Sequence, residues 1–239
     1  MVTIAVIGLG SFGCRVVEEL EHVDAEVIIL DKDRDVVEKY KGRVRDAYIT
    51  DAINEVTLKK ILPEDINSVV VDLGKQLEAS ILVTNYLHKM GIKQIVAKAS
   101  SDEHGEILKL VGATFIIYPD LDAAQRITPI LVSSVLFNYM QVTPDFALAE
   151  VAVRNELVGK TLAESNLRQR YKLNLVAMRK SNKEEFTLVN DPALKFEKDM
   201  LLLVAGTNDA MMGYVEHITA EKDEKKLSKT WLSRLLLRR

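Results

Sequence analysis

The chain has 239 residues, room for one or two domains, of which 48% are apolar and 28% charged. That balance excludes a disordered or collagen-like chain, and a single cysteine, Cys14, excludes a disulfide scaffold. A formal charge of -3 leaves no basic field, so nucleic acid is not an expected partner.

The amino terminus enters on an apolar run with no basic leader. The longest uncharged run, Ile127 to Pro144, holds too many polar residues for a bilayer span. Together with the lone cysteine, this makes the cytoplasm the expected compartment.

The first 118 residues alternate short apolar runs with amphipathic ones. Strands are expected at Val2–Ile7, Glu26–Leu30, Ala47–Ile49, Val69–Asp72, Ile95–Lys98 and Phe115–Tyr118. Several are apolar on both faces, as strands of a parallel sheet covered on both sides must be. Helices are expected between them at Phe12–Leu20, Asp35–Lys41, Glu55–Ile61, Leu77–Met90 and Glu103–Val111. The alternation predicts an α/β, doubly wound parallel sheet of the Rossmann-like kind.

Beyond Tyr118, Asp120 and Asp122 suit a helix N-terminus, and Pro129 either kinks that helix or starts a second one. From Ile130 to Met140 the pattern is apolar almost all round, which predicts a helix that is buried or packed on another subunit. Thr143–Pro144 reads as a linker. Residues 145–220 read as a small α+β unit, with strands at Leu148–Arg154, Leu173–Met178, Glu185–Val189 and Met200–Ala205. Its helices are expected at Thr161–Tyr171 and Asp209–Thr219. The tail, 221–239, is basic and amphipathic around Leu227, Trp231 and Leu235. It suits an anionic lipid surface, a partner groove or a patch of its own domain. The expected domains are therefore 1–142, 143–220 and the tail 221–239.

The strongest motif is Gly8-Leu9-Gly10-Ser11-Phe12-Gly13. It follows a strand and opens a helix, so its backbone N–H groups and the helix dipole suit a phosphate. Gly8 permits the turn, Gly10 a close backbone approach, and Gly13 close packing of helix on strand. Asp31 ends the second strand, where a carboxylate accepts both ribose hydroxyls and disfavours a 2′-phosphate. Lys32 and Arg34 beside it weaken that last argument. ATP, ADP and NAD share the adenosine half, so Asp31 does not separate them. Asp51-Ala52 follows the third strand and either borders an adenine or caps a helix. Lys98 ends the fifth strand at the edge where ligands bind, and either meets phosphate or is solvated.

Catalytic groups are hard to find. His22, His88, His104 and His217 have no partner at metal or dyad spacing, and Cys14 reads as a packing residue. In the second unit Asn166, Arg168, Gln169 and Arg170 form either a solvated helix end or a site for a small anion. Three readings stay open from these residues: a nucleotide-binding regulator, an NAD-dependent oxidoreductase, and a stand-alone redox or nucleotide sensor.

Over residues 1–220 the chain resembles the cytoplasmic regulatory subunits of Trk/Ktr potassium transporters, which carry RCK (KTN) and RCK-C domains. The resemblance rests on the stretch from Val6 to Gly13 with Phe12 in the turn, on Leu30-Asp31, and on Val96-Ala97-Lys98-Ala99. It extends to Gly112-Ala113-Thr114 leading into Ile117-Tyr118-Pro119-Asp120, and to Asn166-Leu167-Arg168 before Tyr171. It implies a non-enzymatic gating subunit that forms dimers and an eight-membered ring beneath a membrane potassium-translocating subunit. It also implies ATP and ADP, or NAD(H), as ligands. By position, Gly8, Gly10, Ser11, Phe12 and Gly13 would hold phosphate, and Asp31 with Lys32 the ribose end. Asp51 and Ala52 would border adenine, and Lys98 would approach the phosphates. Ser11 stands where ATP-binding members often carry Arg. Asp120 matches an acidic position, usually Glu, that holds a divalent cation (Mg or Ca) between subunits. Arg168 matches the region where some members bind cyclic di-AMP.

Overall fold

Six Val- and Ile-rich runs line up as one parallel sheet: β1 (Val2–Ile7), β2 (Ala25–Asp31), β3 (Asp46–Ile49), β4 (Ser68–Val71), β5 (Gln94–Lys98) and β6 (Phe115–Ile117). The computed structural model describes residues 1–133, 135–180 and 184–222. The expected amphipathic pattern at Leu227, Trp231 and Leu235 lies outside these. The sheet order is β3-β2-β1-β4-β5-β6, and the expected doubly wound parallel sheet is present. The order reverses where β1 pairs with both β2 and β4, and a crevice opens at the carboxyl ends of those strands.

The crossovers are α1 (Ser11–Leu20), α2 (Arg34–Tyr40), α3 (Glu55–Ile61), α4 (Leu77–Lys89) and α5 (Asp102–Leu110). Successive strand residues feed opposite layers. Ile7, Leu30 and Val71 join one apolar cluster, while Val6, Ile29 and Val70 join the other. Three helices begin on side-chain caps: Asp33, Asn54 and Ser101 accept N–H from Asp35, Thr57 and His104.

The chain divides into two compact units, Met1–Leu121 and a second that begins at Asp122. Helix α6 (Pro119–Leu131) carries Pro129 inside it. The helix expected from Ile130 through Met140 does not form. Residues Leu136–Thr143 are instead a strand, β7, paired antiparallel with β8 (Phe146–Ala152). The physical reason is irregular pairing. Register shifts between Leu136 and Asn138 and between Gln141 and Thr143 leave Leu136 and Tyr139 buried three residues apart. That spacing imitates a helix in the sequence. Thr143 pairs with Phe146 across Pro144-Asp145, so the expected linker is a hairpin turn. The segment 122–142 belongs with the second unit.

The second sheet runs β10-β9-β11-β8-β7, with β9 (Asn174–Arg179), β10 (Thr187–Leu188) and β11 (Leu201–Thr207). The expected strand Glu185–Val189 thus shrinks to two residues. The helix expected over Thr161–Tyr171 is broken at Asn166, whose φ of 49 is left-handed. It forms α7 (Leu162–Ser165), opened by a Thr161/Glu164 capping box, and α8 (Leu167–Tyr171). Helix α9 (Asn208–Lys222) follows β11.

Candidate functional site

A cleft of about 330 Å³ opens at the carboxyl edge of the parallel sheet. Gly8, Leu9 and Gly10 line it from the turn after β1, and Asp31, Lys32 and Asp33 line it from the end of β2. Asp51 and Ala52 follow β3 there, while Asp72 and Lys75 follow β4. Six of the residues that the sequence picks out for ligand binding therefore meet in one place: Gly8, Gly10, Asp31, Lys32, Asp51 and Ala52.

The turn is held by backbone geometry. Gly8 has φ +88, and a Cβ there would lie 2.0 Å from the Asp72 carbonyl oxygen. At Gly13 a Cβ would lie 2.2 Å from the Gly8 carbonyl oxygen, so the expected tight packing of α1 on β1 is real. Gly10 is close to something the sequence did not announce, because a Cβ there would lie 2.6 Å from Asp72 Oδ2. Ser11 and Phe12 open α1, and their N–H groups belong to the first turn, which has no intrahelical acceptors.

Asp31 ties the turn to β2. Its Oδ2 accepts from Leu9 N at 2.5 Å and its Oδ1 from Asp33 N at 2.8 Å. A carboxylate offers about four acceptor positions, so the ribose hydroxyls still have lone pairs to meet. Asp51 does not cap α3. Its Oδ1 accepts from Ile53 N at 3.1 Å, and the cap is Asn54. Ala52 is buried beside it.

Lys98 is not in the cleft lining. Its Nζ lies 3.3 Å from Asp72 Oδ1. Asp72, only 1% exposed, also accepts from Gly13 N at 2.9 Å through Oδ2. Asp72 is the residue that sequence reasoning missed. The available signal was a carboxylate ending an all-apolar strand at the same sheet edge as the Gly-rich turn.

His104 is buried rather than poised for chemistry. Ser100 N–H donates to its Nδ1 at 3.2 Å, so Nε2 carries the proton and donates to Ser80 Oγ at 2.8 Å. The Ser80 hydroxyl donates onward to the Leu77 carbonyl. Burial holds the His104 pKa below its ordinary value.

Two family domains match the chain: the TrkA-N domain over residues 4–119 and the TrkA-C domain over residues 148–216. The chain is 32% identical over 205 residues to the Ktr system potassium uptake protein C of Bacillus subtilis (strain 168), covering 86% of this chain and 92% of that protein. The chain belongs to the Ktr potassium uptake family. A further Ktr relative, potassium uptake protein A of Vibrio alginolyticus, is 27% identical over 207 residues, covering 87% and 93%. Among solved structures the GsuK RCK domain superposes with a TM-score of 0.64 at 18% identity, over 91% of this chain and 47% of that one. The GsuK channel bound to NAD gives 0.64 at 19% identity, over 94% and 40%. Both confirm the Rossmann-like and RCK fold for the Ktr-family chain, which spans less than half of each GsuK chain.

Two further expected sites of the Ktr family lie elsewhere. Asp120 is exposed at the second position of α6, and no group of three or more metal-ligating side chains gathers among the described residues. Arg168 is exposed on α8 and lies outside a 190 Å³ pocket lined by Arg154, Arg170, Tyr171, Lys172 and Tyr214. No helix among the described residues is long and apolar enough to cross a membrane.

Proposed function

We propose that this Ktr-family chain is the cytoplasmic, nucleotide-binding regulatory subunit of a potassium uptake system. The carrying observation is the cleft at the switch point of the sheet, where the Gly8–Gly13 turn and Asp31 share one wall. In this reading an adenine nucleotide would have its ribose at Asp31 and Lys32, its base toward Asp51 and Ala52, and its phosphates extending past the cleft lining toward Ser11, Phe12 and Lys98.

A regulatory rather than catalytic role is supported by the histidine placement. The buried His104 is engaged by Ser80 and Ser100 and does not line the cleft. Assembly is supported by α6, which buries none of its residues and leaves Leu121, Ile127 and Leu131 exposed. On β7, Phe137, Met140 and Val142 are exposed as well. Such surfaces suit a second copy of the chain, and the reading extends to a dimer that builds an octameric ring under a membrane subunit. In that ring, Asp120 from two subunits would share a divalent cation, and Arg168 would meet cyclic di-AMP.

Ligands move the ring only by their difference in affinity between its states. The test is calorimetric titration of nucleotide-free protein with ATP, ADP, NADH and cyclic di-AMP, followed by particle shape with each ligand. Saturable binding of an adenine nucleotide with a change of shape is the expected result. No adenine nucleotide binding, or steady turnover of NADH, overturns the reading.

A further inference from the structure

Asp72 places a carboxylate at the start of α1, against Gly10 and Gly13. The Gly-rich turn and the start of α1 offer only a few backbone N–H groups to an anion. Two are already taken by carboxylates of this chain: Leu9 N–H by Asp31, and Gly13 N–H by Asp72 at 2.9 Å. The Asp72 side chain is fully buried, and its other oxygen holds Lys98 at 3.3 Å. That cation is thus spent on an internal partner. Around the cleft, Asp31, Asp33, Asp51 and Asp72 face Lys32 and Lys75, so the wall itself is negative.

Resting on the nucleotide reading, we propose that Asp72 is a specificity-determining residue, ranking ligands by the charge they bring to the N-terminus of α1. Like charges in a partly desolvated site repel strongly, and the repulsion grows with each added phosphate. A diphosphate esterified at both ends, joining two nucleosides, carries less charge than a terminal diphosphate, and a triphosphate carries the most. The adenosine half is held at Asp31 and is indifferent to Asp72. Asp72→Asn keeps the shape and the acceptor for Gly13 N–H, removes the charge, and frees Lys98 to meet phosphate.

The test is titration of the full chain, as wild type, Asp72→Asn and Lys98→Met, with adenosine, NADH, ADP and ATP. Adenosine affinity is expected to stay within about twofold in all three, which also shows that each variant folds. ADP and ATP should bind Asp72→Asn about ten- to a hundredfold more tightly than wild type, with the larger gain for ATP. Lys98→Met, which leaves Asp72 uncompensated, should weaken ADP and ATP while sparing adenosine. It serves as the probe if Asp72→Asn does not fold. Adenosine binding with ADP and ATP unchanged in both variants overturns the role of Asp72 and leaves the nucleotide reading standing. Failure of adenosine and of all three nucleotides on every form overturns the nucleotide reading itself, and this proposal with it.

Discussion

Each unit of the chain holds an ion pair with one buried member, and two such pairs are built for different ends. In the parallel-sheet unit Asp72 and Lys98 meet at the ends of strands, with Asp72 at the wall of an open cleft. In the antiparallel unit Arg154, 5% exposed, pairs with Glu156 at 2.9 Å. Its guanidinium carbon lies 5.0 Å from the centre of the Tyr171 ring and 5.6 Å from that of Tyr214. Among the described residues its Nε and Nη1 have no hydrogen-bond partner, and the ring faces supply the compensation. Tyr171 in turn donates to Glu156, and burial with that acceptor pushes its phenol up to about 12. Burial of a charge therefore does not by itself mark a ligand site. Position at the switch-point edge of a parallel sheet suits one, whereas a charge packed against two touching aromatic rings is part of the packing.

The sharpest way to break this contrast is to remove the enclosed charge. Arg154→Ala removes the guanidinium packed against the touching rings of Tyr171 and Tyr214 and leaves Glu156 with Arg170 and Tyr171 as its partners, at a cost of about 3 kcal/mol. Chemical denaturation should show the loss in the second unit, with nucleotide binding by the first unchanged. Gly8→Ala strikes the first unit instead. Its φ of +88 and the 2.0 Å approach to the Asp72 carbonyl oxygen combine strain with a clash, for about 3 kcal/mol. That change should also abolish nucleotide binding in calorimetry.

A gentler probe is pH. His104 is neutral in the fold and its pKa lies below 6.5, so the unfolded chain takes up a proton first as pH falls. The stabilisation is complete above about 6.5 and is lost as pH drops through the lower folded value. Ser80→Ala, which leaves Nε2 without its acceptor, should cost about 2 kcal/mol and change that pH dependence. Urea midpoints measured from pH 7.5 to 5 would show it. Arg126→Ala should do least. Arg126 reaches Asn138 at 3.4 Å on an exposed surface, and its loss should change stability by under about 0.5 kcal/mol.

The two units also differ in how far their sequence could be read. In the first, strands such as Val69–Val71 are buried on both faces and are bounded by amphipathic helices, so local pattern and tertiary place agree. The five helices and six strands therefore fall within a residue or two of expectation. In the second, β7 is bulged, and its burial follows the bulge rather than the period of a strand. No window of sequence carries that information, because the partner strand β8 creates it. The site shows the same division. Gly8, Gly10 and Asp31 sit in a motif with a fixed spacing, and the cleft contains them. Asp72 and Lys98 meet across neighbouring strands, and the pair exists only once β4 and β5 are side by side.

The register of the second sheet has a consequence for the order in which the chain folds. Strand β8 finds one neighbour at once, in β7 across a tight turn, but its other neighbour is β11, paired from Leu201 with Ala152 to Thr207 with Phe146. On a growing chain, one edge of β8 waits for roughly 50 more residues to be synthesised before it is covered. During that interval Ala147, Ala149 and Val151, fully or almost fully enclosed in the finished fold, flank a row of unpaired backbone groups. The hairpin of β7 and β8 is thus open to pairing with the wrong strand while it is being made.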